Sequence, residues 1–176
     1  FYVEGYLVTD EARTAVTKDA VQFAKEHGIK IAISLSDPFV VEVFGDALRE
    51  VMGSGVDLIF CNKDEALAFT GTDNLDSAIE KLQLITKSFA ITDGANGAIT
   101  YDGDLVFRSE GVSAKAIDTN GAGDMFAGAF LYAITSGECY DWAAKLANEC
   151  ASRVVAKFGP RLDLKEFDAI KAKFGL

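Results

Sequence analysis

A chain of 176 residues that is 49% hydrophobic and 25% charged, with only two prolines, has enough apolar mass for one compact domain and is unlike a disordered segment. Its net charge of −10 argues against a nucleic-acid partner, because affinity for a phosphodiester backbone comes mostly from Lys and Arg neutralising phosphates. Cys61, Cys139 and Cys150 lack CxxC spacing and build neither a disulfide framework nor a zinc site by themselves, no apolar run reaches membrane-spanning length, and no basic-then-apolar leader opens the chain. These features predict a cytoplasmic protein with small-molecule partners.

The first residues, FYVEGYLV, are strand-like from position one, which predicts that the chain begins inside a larger protein. Tyr2 to Val8 is expected to be a strand. Thr9 or Asp10 then caps a helix whose Ala12, Val16, Ala20 and Phe23 recur at helical spacing, and His27-Gly28 closes it. Lys30 to Leu35 reads as a strand, SDPF as a turn, and Val40 to Met52 as a helix with Phe44, Leu48 and Val51 on one face. Asp57 to Cys61 is a further short strand, followed by a helical stretch over roughly 62–84 and a strand at Phe89 to Thr92. Ala98 to Tyr101 and Leu105 to Arg108 flank an Asp102-Gly103 turn, which predicts a hairpin.

From Gly123 the pattern is helical, with Phe126, Phe130 and Ile134 on one face up to Ser136-Gly137. Trp142, Leu146, Ala147, Cys150 and Val154 line the next helix, and Asp163 with Glu166 has capping-box spacing for a last helix ending near Gly175. Apolar strands separated by helices indicate an α/β chain whose sheet is covered on both faces. No internal repeat or linker divides it.

The segment Asp118 to Gly128, DTNGAGDMFAG, carries the chemistry. Gly121 and Gly123 let the backbone approach a ligand closely, and the first amides of the following helix lack internal partners at the positive end of its dipole. Such an end binds anions. Asp124 beside a bound phosphoryl group is placed to accept the proton of an attacking hydroxyl. The simpler alternative is a helix cap after a tight turn. A dinucleotide GxGxxG fingerprint fails because Phe126 stands at its third glycine, and a GxxxxGKS/T phosphate loop is absent.

DTNGAGDMFAGAF resembles the second signature of the ribokinase/PfkB family of carbohydrate and nucleoside kinases, and NKDEA, Asn62 to Ala66, resembles that family's NxxE motif. The resemblance implies a ribokinase-like three-layer α/β/α fold with a largely parallel sheet and a β-hairpin at one edge. It also implies that Gly121, Ala122, Gly123 and Asp124 form the catalytic segment, and that Asn62 and Glu65 organise Mg2+ through its waters. TDGANGA resembles the family's nucleotide-approaching segment, so Thr92, Gly94 and Gly97 are expected at ATP; LANECASRVVAKFGPR resembles the helix and loop over the adenine, with Asn148 and Gly159 as candidates. Asp118 and Thr119 are candidates for a monovalent cation such as K+.

The length matches the C-terminal, ATP-binding part of a family member, without the glycine-rich first signature, the early sugar-holding aspartate or the β lid. By resemblance, the parent reaction moves the γ-phosphate of ATP to a CH2OH of a nucleoside or sugar. SDPFVVE and FCNKDEA point to the adenosine-kinase-like branch, and the assembly implied is a monomer or homodimer. A non-catalytic nucleotide-binding module and a hydride-transferring enzyme are the competing readings, the latter disfavoured by the failed fingerprint. His27, Phe44, Phe126, Phe130 and Trp142 are read as structural.

Overall fold

A computed structural model describes residues 1–176 and divides them into two compact units, Phe1–Ile91 with Tyr101–Leu105, and Thr92–Thr100 with Val106–Leu176. The chain runs through β1 (Tyr2–Glu4), α1 (Glu11–Glu26), β2 (Ala32–Ser34), α2 (Pro38–Met52), β3 (Val56–Asn62), α3 (Lys63–Thr70), α4 (Leu75–Ile85), β4 (Thr86–Thr92), β5 (Ala98–Tyr101), β6 (Val106–Ser109), α5 (Ala122–Thr135), α6 (Tyr140–Val155) and α7 (Leu164–Phe174). Six strands hydrogen-bond in chain order, β1 through β6.

In the first unit β1, β2 and β3 pair in parallel, with Val3 opposite Ile33 and Ile33 opposite Ile59. All three side chains are buried, so one register aligns a β-branched row on the core face. Strand β1 ends at Glu4, short of the expected Val8, because the chain turns into a 3-10 segment over Gly5–Val8. Gly5 permits the close approach made there: a Cβ would lie 2.7 Å from the Ser34 carbonyl oxygen, and its N–H donates to Ser36 Oγ at 2.8 Å.

Asp10 caps α1 by accepting from the Arg13 N–H at 3.0 Å. The helix is present as expected but its buried stripe is Thr17, Val21 and Ala24, while Val16 and Phe23 face solvent. Both stripes have helical spacing; the smaller residues lie inward, where α1 packs on α2, and Phe23 stacks on the His27 ring at 3.9 Å on the surface. In α2, capped by Asp37 with Pro38 in its first turn, Leu48 and Val51 are buried as expected. Phe44 sits at a break in the helical backbone (φ −118°, ψ 17°) and is only half-buried. The helical stretch over 62–84 is two helices, divided where Gly71 takes a left-handed φ of 60° and Asn74 caps α4.

The loops joining β4 to β5 and β5 to β6 are too short for a crossover, so these neighbours run antiparallel and the expected hairpin is present. Asp102 Oδ1 closes its turn by accepting from the amides of Asp104 and Leu105.

The second unit is dominated by α5 and α6, packed through buried Phe126 and Phe130, whose ring also meets Tyr140 edge-on at 5.0 Å. Against α6 lies α7, opened by the Asp163/Glu166 capping box and closed by Gly175 at φ 72°. Between them Glu149, 4% exposed, accepts from Arg153 Nε at 2.8 Å and Lys173 Nζ at 2.7 Å. Burial acts to raise its pKa, but the bonds from Lys173 and Arg153 outweigh burial and hold the carboxyl below its ordinary value. No helix is long and apolar enough to cross a membrane.

The phase of α1 is checked by chemical denaturation of two variants. Val21→Ala is expected to cost more than about 1 kcal/mol, and Val16→Ala to stay within about 0.5 kcal/mol; the reverse order would restore the stripe read from spacing.

Candidate active site

Helix α5 begins one residue earlier than its sequence pattern suggests, at Ala122, because Gly121 adopts a left-handed N-cap (φ 76°, ψ 4°). No side chain caps this end. The Ala122 N–H reaches the Thr119 carbonyl at 3.3 Å and the Met125 N–H closes the first helical bond to Gly121 at 2.9 Å. The amides of Gly123 and Asp124 are thereby left without an acceptor at the positive end of the dipole. Asp124 is exposed in this same first turn, so its side chain is not part of the core. Gly121 is required on two counts: its φ is left-handed, and an added Cβ would lie 2.3 Å from Pro160 Cβ.

A cavity of about 300 Å³ opens at this helix end, walled by Thr92, Gly94, Gly97, Ala122, Gly123 and Asn148. These residues come from the strand end at β4, the loop after it, the start of α5 and the middle of α6. Thr119 and Phe126 also border the cavity, so Phe126 serves both core and wall. At Gly97 the backbone crosses another segment closely: a Cβ would be 2.0 Å from the Ser109 carbonyl, and one on Gly111 would be 2.2 Å from that of Ala95. Gly111, together with Ser109 and Glu110, was not marked by any sequence motif; the only trace is a glycine just past the expected hairpin.

Gly159 does not line the cavity. Its N–H donates to Asp118 Oδ2 at 3.1 Å, while Oδ1 of the same carboxylate accepts from the Asn120 N–H at 3.0 Å. These two amide bonds hold the Asp118 carboxyl below its ordinary pKa. The amides of Ile117 and Asp118 both donate to the Val155 carbonyl, so the segment before α5 is tied to the last residue of α6 as well as to the loop that follows it. For a monovalent cation, the Asp118 carboxylate and the Thr119 carbonyl are suitable hard oxygen donors. Each already accepts backbone N–H, and a cation would share these oxygens with those bonds.

In the first unit Asn62 and Glu65 are the N-cap and N3 residues of α3 and form a capping box. Asn62 Oδ1 accepts from the Glu65 N–H at 2.8 Å; the two Glu65 oxygens accept from the Asn62 backbone N–H at 2.9 Å and side-chain amide at 2.7 Å. Glu65 is 5% exposed, and burial pushes its pKa up to about 7, with the charges of Asp37 and Asp64 adding to the rise and the Asn62 backbone bond opposing it. No three His, Cys, Asp or Glu side chains come together as a metal cage. Mg2+ usually keeps several waters and takes only one or two carboxylates. With both its oxygens engaged by Asn62, Glu65 fits a role as acceptor for metal-bound water better than as a direct ligand.

The open amides, the small cavity and the exposed carboxylate thus stand together at one helix end of an α/β protein. A family model for pfkB family carbohydrate kinases matches residues 1–166, and the chain belongs to that family. The fold is accordingly the ribokinase-like three-layer α/β/α arrangement with a mostly parallel six-stranded sheet. The chain is 30% identical over 177 residues to the adenosine kinase of Saccharomyces cerevisiae, covering 91% of this chain and 50% of that protein. It superimposes on the adenosine kinase of Sinorhizobium meliloti with a TM-score of 0.91 at 34% identity, over 98% of this chain and 53% of the other. A fructokinase double mutant of Vibrio cholerae, solved with fructose, ADP and potassium ion, shares the fold at 22% identity and TM-score 0.79, over 90% and 55% of the two chains. The two adenosine kinases place the chain near the adenosine-kinase-like branch. The chain spans about half the length of the curated relatives it matches.

Two outcomes follow from this geometry. Gly121→Ala is expected to destabilise by at least about 1–2 kcal/mol, from the left-handed backbone alone, in urea melts. For Glu65, the folded state keeps its proton up to about pH 7 while the unfolded chain releases it near 4.5, so stability falls as pH rises through that window. Glu65→Gln removes this slope: with chelator present, its stability relative to wild type is expected to rise by on the order of 3 kcal/mol between pH 4.5 and 8, and a constant difference would show that Glu65 titrates normally.

Proposed function

We propose that these 176 residues form the nucleotide-binding portion of an ATP-dependent kinase that moves the γ-phosphate to a CH2OH of a nucleoside or sugar, with adenosine the favoured acceptor. The observation that carries this reading is the pair of unpartnered amides at Gly123, on the wall of a cavity, and at Asp124 next to it, with a carboxylate exposed in the same helical turn. Membership in the pfkB family supports a kinase, and the adenosine kinases among its relatives support the choice of acceptor.

In the proposed reaction the Asp124 carboxylate takes the hydroxyl proton of the acceptor as its oxygen attacks the γ-phosphorus; the new O–P bond forms, the bond to the β-phosphate oxygen breaks, and ADP leaves. The amides of Gly123 and Asp124 face the oxygens on which charge accumulates. Because they are fixed by the Gly121 cap before any ligand arrives, no reorganisation is needed at that moment. Thr92, Gly94 and Gly97 receive the nucleotide where the absence of large side chains lets it lie against the backbone. When bound, Mg2+ would neutralise phosphate charge, and Asn62 with Glu65 would orient its waters. Asp118 and Thr119 supply oxygens for K+ if one is used, and Gly159 acts by fixing the Asp118 carboxylate.

Turnover from these residues by themselves is expected to be weak, since the relatives are about twice as long. The test is phosphoryl transfer to adenosine, ribose and fructose by the longest chain that contains this sequence, alongside calorimetric ATP binding. Asp124→Asn is expected to lower kcat by about 10²–10⁴-fold with ATP affinity nearly unchanged. Wild-type kcat in that variant would remove Asp124 as the base, and ATP binding without transfer to any acceptor in the unaltered protein would favour a non-catalytic nucleotide-binding module.

A further inference from the structure

We propose that a second cavity, at the start of strands β2, β3 and β4, binds a small organic dianion with an apolar body. The proposal goes beyond the kinase reading and does not depend on it, because every residue lining this cavity lies in the first unit. The cavity has a volume of about 640 Å³, within the span of about 300–1,000 Å³ usual for small-molecule sites. Val56 and Asp57 line it at the head of β3, whereas Asn62 ends the same strand, about 20 Å away at roughly 3.3 Å per residue. A ligand bound here is therefore remote from the Asn62 and Glu65 pair.

The chain as a whole carries a charge of −10, yet the wall of this cavity holds three lysines, Lys25, Lys30 and Lys87, against one carboxylate, Asp57. That carboxylate is fully committed: Oδ1 accepts from Lys87 Nζ at 2.8 Å and Oδ2 from the Ile31 N–H at 2.8 Å. Burial acts to raise the Asp57 pKa, but these bonds outweigh burial and, with the Lys30 charge nearby, hold the carboxyl below its ordinary value. Lys25 is fixed in place without a counter-charge, since its ammonium donates to the Met52 carbonyl at 2.5 Å and to Ser54 Oγ at 3.5 Å, both neutral. The Lys30 ammonium has no hydrogen-bond or ion-pair partner in the chain, so it serves no contact of the fold. Two positive charges in the wall are thus left without an anion of the protein to balance them. The same wall also exposes apolar surface: Leu84 is 85% exposed, and Ile29 and Ile85 are 44% and 41% exposed. A bare inorganic anion would balance the lysines but leave these side chains in water, and an uncharged apolar molecule would do the reverse. Only a ligand that joins two negative charges to an apolar body satisfies both.

The experiment is calorimetric titration, at about pH 8 where a phosphomonoester is doubly charged, of the longest chain that contains this sequence. The ligands are phenyl phosphate, whose two charges sit on one group, and benzylsuccinate, whose charges sit on two carboxylates. At least one is expected to bind with a Kd of about 1 mM or tighter, and the better of the two shows how the charges of the ligand are spaced. Inorganic phosphate is expected to bind at least about tenfold more weakly, since it covers no apolar surface. Lys30→Gln, which removes no contact within the fold, is expected to weaken the better ligand about tenfold. Leu84→Ser is expected to weaken the better ligand about threefold while leaving inorganic phosphate unchanged. Binding that Lys30→Gln does not alter would overturn the proposal, because the anion would then be seated elsewhere, the open end of α5 included. Inorganic phosphate binding as tightly as the better organic ligand, or no saturation by either organic ligand at about 10 mM, would also overturn it. None of these outcomes bears on the kinase reading, which Asp124→Asn tests separately.

Discussion

The open end of α5 depends on a backbone inversion at one residue. Gly121 turns left-handed, and only from that geometry does α5 start with two amides that no carbonyl and no side chain can reach. An ordinary Ser or Asp cap in extended backbone would satisfy one of those donors and stabilise the helix. The unsatisfied end is a local cost to folding that the rest of the second unit offsets. Phe126 and Phe130 bury the inner face of α5 against α6, so the helix is held by packing and its first turn is free to stay open.

Two carboxylates, Glu65 and Asp118, show how differently burial and partners act on the same chemical group. Asp118 is only half-buried and accepts two backbone amides, which lowers its pKa. Glu65 also accepts two hydrogen bonds, but it is buried with Asp37 and Asp64 nearby, and the rise to about 7 results. Hydrogen bonds from neutral amides do not compensate desolvation plus like charge in Glu65, whereas in Glu149 the bonds from two cations outweigh burial. Glu65 is therefore a carboxylate whose negative form a bound cation would favour, and Glu149 is already neutralised within the protein.

Much of the architecture could be read from the sequence, because strands buried on both faces and helices with strong capping residues leave clear marks. Asp10 and Asp163 cap the helices that follow them as expected, whereas Asp37 within SDPF and Asn74 inside the 62–84 stretch are caps that the spacing did not separate out. What spacing could not supply was phase: in α1 two stripes one residue apart both fit a 3.6-residue period, and packing chose the one with smaller side chains. Nor could it show the end of β1, which depends on the contact between Gly5 and the distant Ser34 carbonyl. At the candidate site, the local motifs around Thr92, Gly94, Gly97, Ala122, Gly123 and Asn148 identified residues that meet around one cavity. Gly111 and the Ser109-Glu110 pair escaped notice because their role is to receive contacts from residues 12 to 39 positions away, and no short pattern records that. Gly159 was placed on the nucleotide by motif position, while the structure gives its amide to Asp118.

The bond between Asp118 and the Gly159 amide joins two loops separated by 41 residues, one leading into α5 and the other leaving α6. Once joined, neither loop samples its conformations independently, and the freedom lost by the pair is given up during folding. A ligand held at the open end of α5 would thus meet a frame braced on both flanks, and less configurational entropy would remain to be removed on association. Distance along the chain has here been converted into stiffness beside an open helix end.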